Sequence, residues 1–183
     1  MAVIPIGLTG GVAEGKTTVL RVLAEMGWRT ASADEIARDV LEDPFVWEMV
    51  SEQLGLSGPP DRAALGRIVS CEPQKRRMLN SLLHPEVISR ILEEKPDVVE
   101  VPLLVETCLQ SVFKRVWVVT CGPVEQRRRL EARLGDPLTV AGLIASQLPY
   151  SVKRCFADRV IRTDVPLERV VKSVEEIGRR TRL

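Results

Sequence analysis

Aromatic residues are scarce in this 183-residue chain: three tryptophans, one tyrosine and three phenylalanines, or 4% of the total. That scarcity argues against a base-stacking platform for single-stranded nucleic acid. Charge of one sign is also missing, because 26 basic residues face 25 acidic ones for a formal net charge of +1. Such a balance gives no general drive toward nucleic acid or an acidic membrane, so a polyanionic ligand has to be held locally. The single histidine, His84, and four widely spaced cysteines without a C-x-x-C pair do not make a zinc site. Reduced thiols are the expectation. No apolar run reaches transmembrane length, and the N-terminal stretch lacks the basic region of a signal peptide. The expectation is a soluble, cytoplasmic protein, and 45% hydrophobic content suffices for one real core.

What the chain does have is "GGVAEGKTTVL" at residues 10–20. Gly10, Gly15, Lys16 and Thr17 fit G-x-x-x-x-G-K-[ST], the spacing of a phosphate-binding loop, between an apolar strand and an amphipathic helix. Glycines let backbone N–H groups converge on a phosphate without obstruction, and the helix start adds a partial positive end. Lys16 can bridge β- and γ-phosphate oxygens, and the Thr17 hydroxyl can ligate Mg²⁺. ATP with Mg²⁺ is the implied pair, held by Gly11, Val12, Ala13, Glu14, Gly15, Lys16, Thr17 and Thr18. The only asparagine, Asn80, is followed by serine, so the guanine-reading N-K-x-D motif is impossible. Glu14 is an acid inside a loop built for anions. Its side chain is expected to point outward into water, where repulsion with phosphate is small.

Alternation of apolar strand patterns with helical ones predicts an α/β fold with a parallel sheet covered by helices on both faces. Strands are expected at 2–8, 28–33, 97–106, 115–121 and 158–162. Pro73 and Pro85 mark positions where new helices can begin. Helical blocks interrupt the alternation, which divides the chain into a core at about 1–43, 95–135 and 158–183, a substrate-binding insertion at about 44–94 and a lid at about 136–157.

The segments "IGLTGGVAEGKTTV", "ADEIARDV", "DRAALGRIV", "LNSLLHPEV", "VEVPLLVE", "EQRRRLEAR" and "ADRVI" occur in the order and spacing of dephospho-CoA kinase. From about residue 4 to 163 the chain resembles that family. The resemblance implies a P-loop kinase core with a helical CoA-binding domain and a lid. It implies transfer of the ATP γ-phosphoryl group to the ribose 3′-hydroxyl of dephospho-CoA, the last step of coenzyme A synthesis. A kinase for another nucleotide-like acceptor and a low-turnover ATP-binding switch are the rival readings. No nucleic-acid or membrane partner is expected, and a monomer is favoured.

Site residues follow from the same resemblance. Asp34 matches the family's acid after the second strand, where a carboxylate can accept the acceptor hydroxyl's proton; without the resemblance it reads better as a helix N-cap or first-turn acid. Ser32 stands where many members carry a second acid. Glu100 aligns with an acidic position before "PLL", and either orders Mg²⁺ through water or sits at a strand end facing solvent. Arg133, and after it Arg129, would stabilise the transferred group, whereas Arg127 and Arg128 read as surface. His84, Arg62, Pro102 and Leu103 would line the acceptor pocket, His84 without transferring a proton. Lys153 and Arg154 fall in the lid, where simple exposure is the alternative. Thr163 replaces the family's usual asparagine, which leaves the adenine contacts there open.

Overall fold

The computed structural model describes residues 4–56 and 61–182, without the side chains of Arg62, Ser70, Cys71 and Pro73. It divides into two compact units: residues 1–32 with 95–183, and residues 33–94.

The first unit is built on a parallel sheet of β1 (Ile4–Gly10), β2 (Thr30–Ser32), β3 (Val98–Glu100), β4 (Phe113–Thr120) and β5 (Arg159–Arg162), in the order β2-β3-β1-β4-β5. β1 is buried at all positions but Pro5, and β4 is buried from Val116 to Thr120, because both faces are covered there. Helices α1 (Lys16–Glu25) and α9 (Leu167–Arg182) pack together in this unit. Val19, Val22 and Leu23 of α1 and Val170 and Val174 of α9 join Ile6, Leu8, Trp117, Val119 and Ile161 in one core. Helices α6 (Gly122–Leu134), α7 (Pro137–Ala145) and α8 (Tyr150–Lys153) follow β4. The chain runs to opposite sides of β1 before and after β4, so the carboxyl end of β1 lies at a switch in strand order. Open α/β sheets bind ligands at such a switch.

The "VEVPLLVE" block forms less strand than its pattern suggests. β3 stops at Glu100, and residues 102–108 are turns. Pro102 has no N–H to continue a ladder; its carbonyl instead accepts hydrogen bonds from Thr9 Oγ1 and Lys153 Nζ.

The second unit is entirely helical among its described residues: α2 (Ala33–Val40), α3 (Pro44–Leu54), α4 (Arg62–Cys71) and α5 (Pro73–Glu94). Asp43 and Asp61 cap α3 and α4 by accepting backbone N–H bonds. Pro85 does not begin a helix. It sits inside the 22-residue α5, although an interior proline costs about 3 kcal/mol. The offset is burial: Leu79, Leu83, Val87 and Ile91 recur every four residues along α5 and are all buried, each worth about 1.5–3 kcal/mol. α2, α3 and α4 all pack against this helix.

Candidate active site

The loop after β1 has the backbone a phosphate cradle needs. Gly15 caps α1 with φ 93°, a left-handed conformation, and Ala13 is left-handed too at φ 59°. A Cβ on Gly10 would lie 2.4 Å from the Val119 carbonyl oxygen, so only glycine lets the loop leave β1 against β4. α1 begins at the end of this loop, and a helix N-terminus favours bound anions. Lys16 is buried and donates to the Gly11 carbonyl at 3.0 Å. Its Nζ lies 3.9 Å from Glu100 Oε1. That pairing brings the carboxylate at the end of β3 beside the loop lysine. Thr17, on the exposed side of the first turn, offers a hydroxyl to solvent.

Side chains grip the loop's peptide groups from outside. Glu14 is the sharpest departure from expectation: it is 3% exposed and turned into the protein. One carboxylate oxygen accepts from the Gly11 N–H and the other from the Thr120 hydroxyl at 2.8 Å. An outward position would have left both donors without that acceptor, and buried donors are costly to orphan. Gln126 of α6 donates to the Val12 carbonyl at 3.0 Å. The Gln147 carbonyl oxygen accepts from the Val12 N–H at 2.8 Å.

Arg129 and Arg133 part company. Arg129 is half-buried; it bonds the Ala13 carbonyl at 3.4 Å, the Thr163 hydroxyl at 3.2 Å and the Thr163 carbonyl. Glu125 is shared between Arg128 and Arg129, and their hydrogen bonds hold its carboxyl down to about 2. Arg133 is exposed in the last turn of α6. Thr163 donates to the Glu14 carbonyl at 2.7 Å, so the residue that replaces asparagine ties the end of β5 to the loop. Gly15, Thr18, Arg129, Thr163, Val165 and Leu167 line a 260 Å³ hollow beside α1.

Lys153 is not exposed on a lid: it is 1% exposed. It pairs with Glu106 Oε1 at 2.9 Å and donates to the Pro102 carbonyl at 3.1 Å. Glu106 Oε1 also accepts from the Leu148 N–H at 2.9 Å. α8 is thereby fastened to the turns that carry Pro102 and Leu103. The alternation of charge and apolarity in "YSVKRCFA" gave no sign of a buried ammonium.

The second unit carries Asp34, exposed in the first turn of α2. Its backbone carbonyl accepts from Arg38 Nε at 3.1 Å. His84 is half-buried on α5, and desolvation lowers its pKa from the ordinary value. The Arg62 side chain lies outside the described residues. Among the described residues no helix is long and apolar enough to cross a membrane, and no group of three or more His, Cys, Asp or Glu forms a metal cluster.

Sequence analysis missed Thr120, Gln126, Gln147 and Glu106. Each acts through a contact with a segment remote in sequence; Glu106 and Gln126 lie within "VEVPLLVE" and "EQRRRLEAR", but nothing local in those blocks marks the contact.

Comparisons with known proteins agree with this geometry. A dephospho-CoA kinase of Gloeobacter violaceus is 38% identical over 171 residues, covering 87% of this chain and 83% of its own. A Thermus thermophilus crystal structure, TT1252, superposes with a TM-score of 0.80 at 27% identity, covering 97% of each chain. The shikimate kinase of Aquifex aeolicus superposes at 0.54 with 17% identity, covering 97% of this chain and 96% of its own, a likeness of fold alone. The sequence model of dephospho-CoA kinase matches residues 4–168. With its phosphate loop, parallel sheet and this match over most of its length, the chain belongs to the dephospho-CoA kinase family.

Proposed function

We propose that this protein transfers the γ-phosphoryl group of ATP to the ribose 3′-hydroxyl of dephospho-CoA. The observation that carries the reading is the left-handed glycine loop with Lys16 held beside Glu100 at the carboxyl edge of the sheet. A kinase needs little covalent help from the protein; it needs charge neutralised and two oxygens placed in line. Gly11–Thr18 would hold the phosphates, with Lys16 swinging from the Gly11 carbonyl to the β- and γ-oxygens. The hollow between Gly15, Arg129 and Thr163 is the place for the nucleobase.

The donor set fits magnesium: Thr17 and Glu100 offer the hard oxygen atoms that such an ion prefers, and they would hold it, Glu100 by way of water. Bound Mg²⁺ supplies charge neutralisation between the phosphates. Asp34 accepts the acceptor hydroxyl's proton as it attacks. Arg133, on the exposed end of α6, meets the transferred group when the lid at about 136–157 closes; Arg129 stays with the loop. His84 and Arg62 bind the acceptor from a helical CoA-binding domain at about 44–94, and Pro102 and Leu103 bind it from the core. The protein works as a cytoplasmic monomer.

ATP consumption by the purified protein, with dephospho-CoA, adenosine and AMP compared side by side, tests the reading. Strong stimulation by dephospho-CoA alone is expected. Stimulation by another acceptor would make it a different kinase. No stimulation by any of them would favour a nucleotide-binding switch and overturn the proposal.

A further inference from the structure

Ala13 is a non-glycine residue in the left-handed region, at φ 59°. That conformation costs a residue with a Cβ roughly 1–2 kcal/mol, so something outside the loop has to hold it. Val12, the residue before Ala13, is held at both of its backbone groups. Gln126 donates to the Val12 carbonyl, and Gln147 accepts from the Val12 N–H at 2.8 Å. The two glutamines come from different kinds of scaffold. Gln126 stands on α6, a regular 13-residue helix. Gln147 belongs to the short irregular stretch between α7 and α8 and is itself only half-buried.

The neighbours of Gln147 differ on its two sides. After it, the Leu148 N–H and Lys153 are both anchored to Glu106. Before it, α7 packs beside α6 through the buried Val140, while Leu138 is 83% exposed. Gln147 also lines a 520 Å³ cleft with Gly11, Glu14, Gln126, Leu148 and Tyr150. At Gln147 the α7–α8 segment touches the phosphate loop by a hydrogen bond.

We infer that Gln147 is a positioning residue. Its carbonyl oxygen couples the α7–α8 segment to the phosphate loop through the Val12 N–H, and so keeps the first half of the loop in its phosphate-ready shape. Without that acceptor, the Gly11–Val12 peptide is released while Gln126 still holds the Val12 carbonyl and Arg129 the Ala13 carbonyl, and the first half of the loop samples shapes other than the one with Ala13 left-handed. A nucleotide then has to reorder the loop as it binds. Docking of the segment and order in the loop are in this way one equilibrium. The inference rests on the proposed nucleotide-binding role of the loop, but not on the identity of the acceptor.

The test uses the full chain with Gln147→Ala and Gln147→Glu, the second of which retains a side-chain acceptor of the same reach. Hydrogen exchange at the Val12 amide, followed by NMR in nucleotide-free protein, is expected to be about ten-fold faster in the alanine variant, the worth of one hydrogen bond. Protection is expected to return in the glutamate variant. By calorimetry ADP is expected to bind the alanine variant about ten-fold more weakly, with a melting temperature lowered by only about 2–4 °C, since the loss is confined to one hydrogen bond. Unchanged exchange at Val12, unprotected Val12 in the glutamate variant, or faster exchange with unaltered ADP affinity would each overturn the coupling. Because neither measurement contains an acceptor, a failure here is distinct from a failure of dephospho-CoA to stimulate ATP consumption.

Discussion

The Thr120 hydroxyl donates to Glu14 at 2.8 Å, joining the end of β4 to the middle of the phosphate loop. Thr120 Oγ1 in turn accepts from the Gly122 N–H at 3.1 Å, so the chain of bonds runs from the loop to the first residue of α6. A carboxylate here braces the loop and, in the proposed nucleotide-binding role, would set a negative charge close to phosphate. The two effects separate by substitution. Glu14→Ser removes the brace and leaves the Gly11 N–H and Thr120 hydroxyl to find other partners, at a stability cost of about 2–3 kcal/mol by urea unfolding. Glu14→Gln keeps an acceptor for Gly11 and can donate to Thr120, while removing the charge. It is expected to bind ATP about five-fold more tightly by calorimetry, since the repulsion it relieves acts at short range in a partly buried site. Weaker binding by Glu14→Gln would mean that the charge itself serves the loop.

The Lys153–Glu106 pair makes a second prediction. Lys153 is 1% exposed, and Glu106 Oε2 is a buried oxygen without a hydrogen-bond partner among the described residues. Removing only the ammonium strands a buried carboxylate, a change that typically costs 3–5 kcal/mol. Lys153→Met is expected to lose about that much stability, and the double variant Lys153→Met with Glu106→Leu to recover most of it. A single variant as stable as the parent by urea unfolding would show that the pair contributes nothing.

These two contacts also mark where sequence reading stops. The phosphate loop was legible because its glycines and lysine follow one another along the chain and their backbone demands are local. Alternation of apolar strands and helices likewise gave the parallel sheet, since its period is written within each element. Glu14 was misread because a side chain's direction in a turn depends on Thr120, 106 residues away. Lys153 was misread because its carboxylate partner belongs to turns whose course Pro102 alters. Pro85 shows the opposite case: a local signal was clear and burial along α5 overruled it. Asp34 and Arg133 are both exposed, in the first turn of α2 and the last turn of α6.

Thiol chemistry separates the cysteines. Cys108 and Cys155 are exposed, whereas Cys121 is buried and its thiol is pushed above the ordinary pKa, first by burial. The thiolate is the reactive form. A thiol-alkylating reagent at neutral pH, with sites read by peptide mass mapping, is therefore expected to label Cys108 and Cys155 well before Cys121. Early labelling of Cys121 would contradict its burial beside the phosphate loop.

Burial of His84 gives a pH dependence with a definite sign. Desolvation lowers its pKa in the folded protein, so the unfolded chain binds the proton more readily. Its contribution to stability is complete above the unfolded value near 6.5 and is lost as pH falls from there toward the lower folded value. Urea midpoints are expected to drop between pH 7 and pH 5.5 in the parent, and to drop less in His84→Gln. Identical slopes in the two proteins would remove His84 as the cause.

Asp34 carries the most direct test of the chemistry. It is exposed in the first turn of α2, where an acid interacts with the helix terminus for only about 0.3–1 kcal/mol. Asp34→Asn should therefore fold normally. With Ser32 two residues earlier, there is no second acid at the end of β2 to take over proton acceptance. Turnover with ATP and dephospho-CoA is expected to fall at least about 100-fold, the lower range for loss of a positioned base. ATP affinity, set in this proposal by the loop at Gly11–Thr18, should stay within about two-fold, a difference of only ~0.4 kcal/mol. An asparagine variant with near-normal turnover would show that the acceptor hydroxyl loses its proton without Asp34, and that this acid serves only the start of its helix.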